Sequence, residues 1–176
     1  THDQSSAASD VYKRQFVPRT MRIIGGAVEA LAHVTRFGGM AANLAGGTHH
    51  SHRSFGSGYC VFNDLAICAF LARDEHGYER IAVLDLDVHQ GDGTATILEG
   101  EKGIITISVH GEKNFPFRKA KSDHDFPLPN GTEDEGYLFA VKESLAIIED
   151  FSPEILLFQA GVCLLYTSPS PRDVRS

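Results

Sequence analysis

Three short runs, IAVLDL (81–86), IITISV (104–109) and EILLFQA (154–160), are apolar at consecutive positions rather than at alternate ones. A strand with one wet face alternates. A strand that stays apolar has both faces covered, which is the signature of a parallel sheet held between layers of helix. Helical periodicity is expected from about Arg19 to Phe37, from about Asn63 to Asp74, from Asp92 to Leu98 and from Asp134 to Asp150. Strands are expected over Ile81–Asp87, Ile104–Val109 and Glu154–Gly161, with a long loop rich in Phe and Pro after the second. A short apolar stretch, MAANLAG (40–46), reads as a further strand running toward two histidines. The fold class is therefore α/β with a mostly parallel central sheet, and 176 residues suffice for one sizeable core.

Composition narrows the function classes. The formal charge of -7, with no basic stripe, excludes a general nucleic-acid binder and gives no reason to expect direct contact with nucleic acid. No apolar run reaches the length of a membrane span, and the first residues lack the charged-then-apolar order of a secretory signal, so a cytoplasmic protein without a membrane partner is expected. Cys60, Cys68 and Cys163 are odd in number and form no CxxC pair; they read as small buried apolar residues. Residues 1–15 and the close, LLYTSPSPRDVRS, show no sustained apolar period and read as tails.

Chemistry-bearing residues cluster at the ends of the apolar runs. In VLDLDVHQGDGT (83–94), Asp85, Asp87 and His89 fall at i, i+2 and i+4, on one face of an extended chain, with Leu86 and Val88 on the other. Burying carboxylates without compensation is too costly, so they must be paired, hydrogen-bonded or bound to a metal. A divalent ion answers that need, since zinc accepts carboxylate oxygen and imidazole nitrogen, and Asp87 with His89 supplies both. Asp92, in GDGT, suits a helix N-cap as well as it suits chemistry. In GGTHHSHRSFGSGYC (46–60), the adjacent His49 and His50 suit a pair of proton handlers, each oriented at its other ring nitrogen by a carboxylate; Asp85 and Asp92 are the available partners.

The segments LAGGTHHSHRSFGSGYCVFNDLAICA, IAVLDLDVHQGDGT and ITISVHGEKNFPF resemble, in order and spacing, consecutive motifs of the histone deacetylase family, including its bacterial acetoin-utilisation and acetylpolyamine amidohydrolase relatives. The resemblance runs from Phe16 to Val162. It implies an arginase-like three-layer fold, here incomplete, and zinc-dependent hydrolysis of an acetyl-lysine in a protein or of a related small acylamine. By the same resemblance Asp87 and His89 are two zinc ligands, His49 is an electrostatic histidine backed by Asp85, and His50 is the general base and acid backed by Asp92. Asp85 and Ser108, with backbone oxygens of Asp87, His89 and Val109, resemble a structural potassium site. Gly58, Tyr59, Phe115 and Phe117 resemble the walls of a narrow channel for the lysine stem. Iron would accept the same donors as zinc.

Two departures accompany the resemblance. Cys163 stands where the family carries its third zinc-ligating Asp, and from there the later motifs, including a tyrosine that donates to the oxyanion, are absent. Residues 1–15 and 163–176 are therefore expected to be non-native tails around a partial domain, 16–162. Two rival functions follow: a catalytically inactive fragment that binds an acyl-lysine or a partner, and a dinuclear manganese ureohydrolase, for which Gly91 occupies a position that should be Asp. A nuclear location follows only from a eukaryotic source, and nothing in the residues selects an oligomeric state.

Overall fold

The computed structural model describes residues 3–161, with side chains from residue 14 onward. The chain divides into two compact units, residues 1–46 and 47–176.

In the first unit, α1 (Asp3–Phe37) is one helix of 35 residues. It starts well before the expected Arg19. Residues 3–15 lack an apolar stripe, but they contain no Gly or Pro and several good helix formers, and intrinsic propensity does not require a buried face. The helix ends at Gly38, whose backbone N–H donates to Val34 O at 2.8 Å. The following MAANLAG forms no strand, contrary to expectation. Asn43 turns it back instead, donating from Nδ2 to Ile23 O at 2.8 Å and accepting from Ala45 N–H at 3.2 Å, a local side-chain alternative to ladder pairing.

The second unit is a parallel sheet with helices. Its elements are α2 (Asp64–Asp74), β1 (Ile81–Asp85), α3 (Asp92–Leu98), β2 (Ile104–Gly111), β3 (His124–Leu128), α4 (Asp134–Phe151) and β4 (Ile155–Gln159). The strand order is β3-β2-β1-β4, every pair parallel. Central β1 is buried at all five positions. Ala82, Leu84 and Leu86 pack with Ile107 and Val109 of β2 and with Ala140 and Ile148 of α4. Ile81 and Val83, on the other face, are also fully buried, and α2 contacts β1 and β4 while α3 contacts β2. The consecutive apolar runs thus have the two covered faces that their pattern requires.

Strand β3 was not expected. Its sequence, HDFPL, is polar and includes Pro127, which a sheet tolerates at an edge, and β3 is an edge strand. From β1 the chain steps outward to β2 and β3, then returns to β4 on the far side of β1. The topological switch point therefore lies between β1 and β4, at whose carboxyl ends a crevice is expected in open parallel sheets. Cys163 and the rest of 163–176 lie outside the described residues. Among those described, no helix is long and apolar enough to cross a membrane.

Cys60 and Cys68 are both buried and free. Burial pushes the Cys68 thiol up to about 12, with Asp64 adding in the same direction. Because the thiolate is the nucleophile, Cys68 should resist iodoacetamide at pH 8 in the folded chain and react readily in denaturant. Peptide mapping by mass spectrometry checks this; modification of native Cys68 at the rate of a free thiol would contradict the packing described.

Candidate active site

The exit of β1 sets the site. Strand geometry stops at Asp85, so Asp85, Asp87 and His89 do not share one face of an extended chain as the spacing suggested. They are brought together by two successive side-chain turns. Asp85 Oδ1 accepts from the backbone N–H of Asp87 at 3.0 Å, and Asp87 Oδ1 accepts from that of His89 at 2.8 Å. Backbone donation from Leu86 to Gln159 O at 3.0 Å and from Gly111 to Val88 O at 2.8 Å ties this turn to β4 and β2.

A second segment, Gly47 to Cys60, is clamped beside it by two residues that the sequence did not mark as functional. Asn63 caps α2 through Oδ1, accepting from Ala66 N–H at 2.9 Å, while its Nδ2 donates to His49 O, Ser51 O and Thr94 Oγ1 at 3.3, 3.2 and 3.0 Å. Asp64, 2% exposed, accepts from the backbone N–H groups of Gly47 and Thr48 at 2.8 and 3.0 Å and from Thr48 Oγ1 at 3.0 Å. The sequence cue was the N-cap signature FND before an apolar period, which announces a helix start but not what else the cap holds.

So held, His49 Nδ1 lies 2.6 Å from Asp85 Oδ2, and His50 Nδ1 lies 2.7 Å from Asp92 Oδ1. An ionised carboxylate only accepts, so each Nδ1 carries a proton. The ring centroids are 4.1 Å apart, and all four side chains are buried. Burial would push the His49 imidazole down, but the charges of Asp85, Asp87 and Asp92 and its hydrogen bond to Asp85 outweigh it, and the net shift is upward. For Asp92, burial acts to raise the carboxyl, yet hydrogen bonds and charge from His50 and His52 leave it below the usual range. His52 is the third residue missed by sequence: its Nε2 reaches Asp92 Oδ2 at 3.2 Å.

Two glycines make the approach of these groups possible. A Cβ on Gly91 would collide with Asp85 Oδ2 and lie 3.1 Å from His49 Nδ1. Gly58, at φ +53°, faces the His50 ring so closely that a Cβ would overlap Cδ2.

Asp87 and His89 face each other, Oδ1 to Nδ1 at 3.0 Å. Burial raises the Asp87 carboxyl, but donation from the His89 side chain and backbone holds it below the ordinary value. This is a carboxylate oxygen and an imidazole nitrogen presented side by side, a donor pair suited to zinc. Among the described residues it is not extended to three: no group of three or more His, Cys, Asp or Glu side chains is placed to hold a metal. The pair fits two ligand positions and no more.

The remaining candidates divide. Asp85 and Ser108 are register partners on β1 and β2, each 3% exposed, with Val109 next along β2; Ser108 Oγ lies 2.9 Å from His110 Nδ1. Phe115 stands edge-on to His50, centroids 4.9 Å apart, and 6.4 Å from the His89 ring. Phe117 meets Phe115 at 6.4 Å and is 84% exposed, and the Tyr59 ring is wholly exposed. Gly58 and Phe115 therefore flank the histidines, whereas Tyr59 and Phe117 lie toward solvent. The loop carrying Phe115 is fixed by Lys119 Nζ, which donates to Asn114 O and Pro116 O, and by Gln90, which donates to Ala120 O at 3.0 Å and accepts from Ala120 N–H at 2.9 Å.

The family model described as "Histone deacetylase domain" matches residues 2–170. An uncharacterized protein of Picosynechococcus sp. is 42% identical over 147 residues, covering 83% of this chain and 49% of that protein. The acetoin utilization protein AcuC of Staphylococcus aureus is 32% identical over 163 residues, covering 84% of this chain and 41% of its own. The crystal structure of an HDAC homolog from Aquifex aeolicus superposes with a TM-score of 0.65 at 30% identity, over 80% of this chain and 40% of that one. The chain thus spans less than half the length of each.

Two outcomes follow from the geometry. Asn63→Ala removes a cap and takes the side-chain donor from the buried Ser51 carbonyl, while His49 O keeps the Thr94 N–H, which together should cost about 2–4 kcal/mol in denaturant unfolding. Asn63→Asp keeps the cap but turns a donor into an acceptor against three oxygens, and should be no better. The depressed Asp92 carboxyl stabilises the fold fully above its ordinary value of 3.8 and loses that contribution as pH falls through the lower folded value. Asp92→Asn should therefore lower stability at neutral pH and progressively less below about pH 4, measured by urea titration at each pH.

Proposed function

This chain belongs to the histone deacetylase family, and from that premise we propose that the protein carrying it hydrolyses the acyl amide of an acetylated lysine or a related small acylamine. The observation that carries the reading is the pair of buried imidazole–carboxylate contacts, His49 with Asp85 and His50 with Asp92, set beside the Asp87–His89 donor pair. Hydrolysis of an amide needs a base for the attacking water, an acid for the leaving amine and charge stabilisation at the carbonyl.

In this reading His50 is the proton carrier. Asp92 fixes its Nδ1–H tautomer, so that Nε2 takes a proton from water and returns it to the departing amine. His49, held by Asp85 and shifted toward its charged form, supplies positive potential next to the reacting carbonyl. Asp87 and His89 would hold a divalent ion, zinc for preference, whose Lewis acidity polarises a carbonyl and acidifies water. Asp85, Ser108 and the backbone around Asp87, His89 and Val109 would hold a potassium ion that keeps the β1 exit rigid. Gly58 and Phe115 would flank the acyl group, with Tyr59 and Phe117 further out along the lysine stem.

A module that merely grips an acyl-lysine needs neither proton handler, and two fully buried imidazole–carboxylate pairs are costly ornaments for it. The full-length protein that carries this chain should release acetate from fluorogenic acetyl-lysine or acetylpolyamine substrates and lose that activity to a chelator. His50→Ala should lower kcat by about 10²–10⁴-fold with metal content unchanged. Undiminished turnover in that variant would remove His50 from the mechanism, and chelator-resistant turnover would remove the metal.

A further inference from the structure

We infer that His52 is a positioning residue, which acts through Asp92 to hold His50 in the tautomer and orientation that proton transfer requires. The inference rests on the deacylase reading for its kinetic consequence but not for its structural one.

Asp92 has two carboxylate oxygens and they are divided between two histidines. Oδ1 takes His50 Nδ1 at 2.7 Å, and Oδ2 takes His52 Nε2 at 3.2 Å. With only the first contact, the carboxylate could swing about its terminal torsion, which is a soft one, and carry Oδ1 away from the imidazole. The second contact fixes that torsion from the opposite side.

His52 is itself immobilised on both ring edges and one face. Nδ1 lies 2.7 Å from Thr96 Oγ1, and the ring stacks on Phe55 with centroids 4.2 Å apart and planes 20° from parallel. Thr96 Oγ1 also lies 3.1 Å from Gly93 O. Its single proton has two acceptors within reach. If it goes to Gly93 O, the hydroxyl accepts from a protonated Nδ1; if it goes to His52, Nδ1 is the acceptor. The ionised Asp92 carboxylate only accepts, so Nε2 carries a proton and donates to Oδ2; the first arrangement then makes the ring an imidazolium, and a neutral ring takes the second.

The chain of contacts Gly93 O, Thr96, His52, Asp92, His50 lies in one unit and mostly on one short helix and the loop beside it. His50 at its end also meets the His89 ring edge-on, with centroids 6.0 Å apart. A residue acting only on overall stability would leave the His50 tautomer alone, whereas a clamp on Asp92 would not.

Three variants of the full-length protein test this. His52→Phe keeps the stack on Phe55 and removes both nitrogens; His52→Gln keeps an N–H donor for Asp92; Thr96→Val releases His52 without touching Asp92. The expected result on acetyl-lysine substrate is a fall in kcat of about 10–100-fold for His52→Phe with KM nearly unchanged, recovery of most of that loss in His52→Gln, and a smaller loss in Thr96→Val. Long-range ¹H–¹⁵N correlations of the His50 ring, assigned through His50→Gln, should show one Nδ1–H tautomer in the wild type and a mixture in His52→Phe. A His52→Phe protein with wild-type kcat and a single tautomer, or a His52→Gln protein as impaired as His52→Phe, overturns the inference. If the wild type turns over no acyl-lysine, the deacylase reading fails, and the tautomer measurement still decides the role of His52.

Discussion

Two imidazole–carboxylate contacts, of 2.6 and 2.7 Å, fasten the glycine–histidine segment to the carboxyl edge of the sheet. His49, His50, Asp85 and Asp92 are between 3% and 7% exposed, and none of them is tolerable at that depth without its partner. The contacts are satisfied only if the end of β1, the first turn of α3 and the loop before α2 converge within a few ångströms. Asn63 and Asp64 enforce that convergence through the backbone. They bind the carbonyls and amides of residues 47–51, which leaves both histidine side chains free to turn toward the sheet.

The sheet explains why the acids sit where they do. β1 is flanked on both sides, and its neighbours on one side come from the next stretch of chain and on the other from a later return. Past Asp85 the backbone of Leu86 and Val88 still bonds to β4 and β2, while the backbone N–H groups of Asp87 and His89 are taken by the side chains of Asp85 and Asp87. Each carboxylate thus does two things, capping the turn and presenting its other oxygen or its charge to an imidazole. This is how three acids and three histidines share a small volume: every charge is met by a donor, and no buried side-chain nitrogen or oxygen among the described residues lacks a hydrogen-bond partner.

Most of this was legible where the physics is local and repetitive. Runs such as IAVLDL and IITISV have no reading other than strands covered on both faces, and α3 and α2 follow directly from their periods. What escaped was whatever depends on a single distant partner. MAANLAG is apolar enough for a strand, but one amide, Asn43, bonds back to the helix and spends the segment on a turn. HDFPL looks like loop because Pro127 forbids it a central place, yet the exposed edge of β2 was open to it. The Asp85–Asp87–His89 grouping was expected from strand alternation, whereas side-chain turns past the end of β1 bring the residues together. His52 was hidden by its company: beside two adjacent histidines a third reads as composition, and only the position of Thr96 and Asp92 gives it a task.

The same crowding limits what chemistry the site can hold. A dinuclear ureohydrolase centre would call for a further carboxylate at position 91, two residues beyond His89. There the backbone runs so close to Asp85 Oδ2 and His49 that even a methyl group collides, and an Asp could enter only by driving Asp85 off His49. That would set a third negative charge against two buried ones while removing the imidazole that offsets the first, a change unfavourable on both counts. The glycine that permits the His49–Asp85 contact is thus the same feature that keeps a second metal's ligand out. A two-metal cluster at this turn would need that further carboxylate, and the backbone at Gly91 leaves no room for it beside the His49–Asp85 contact.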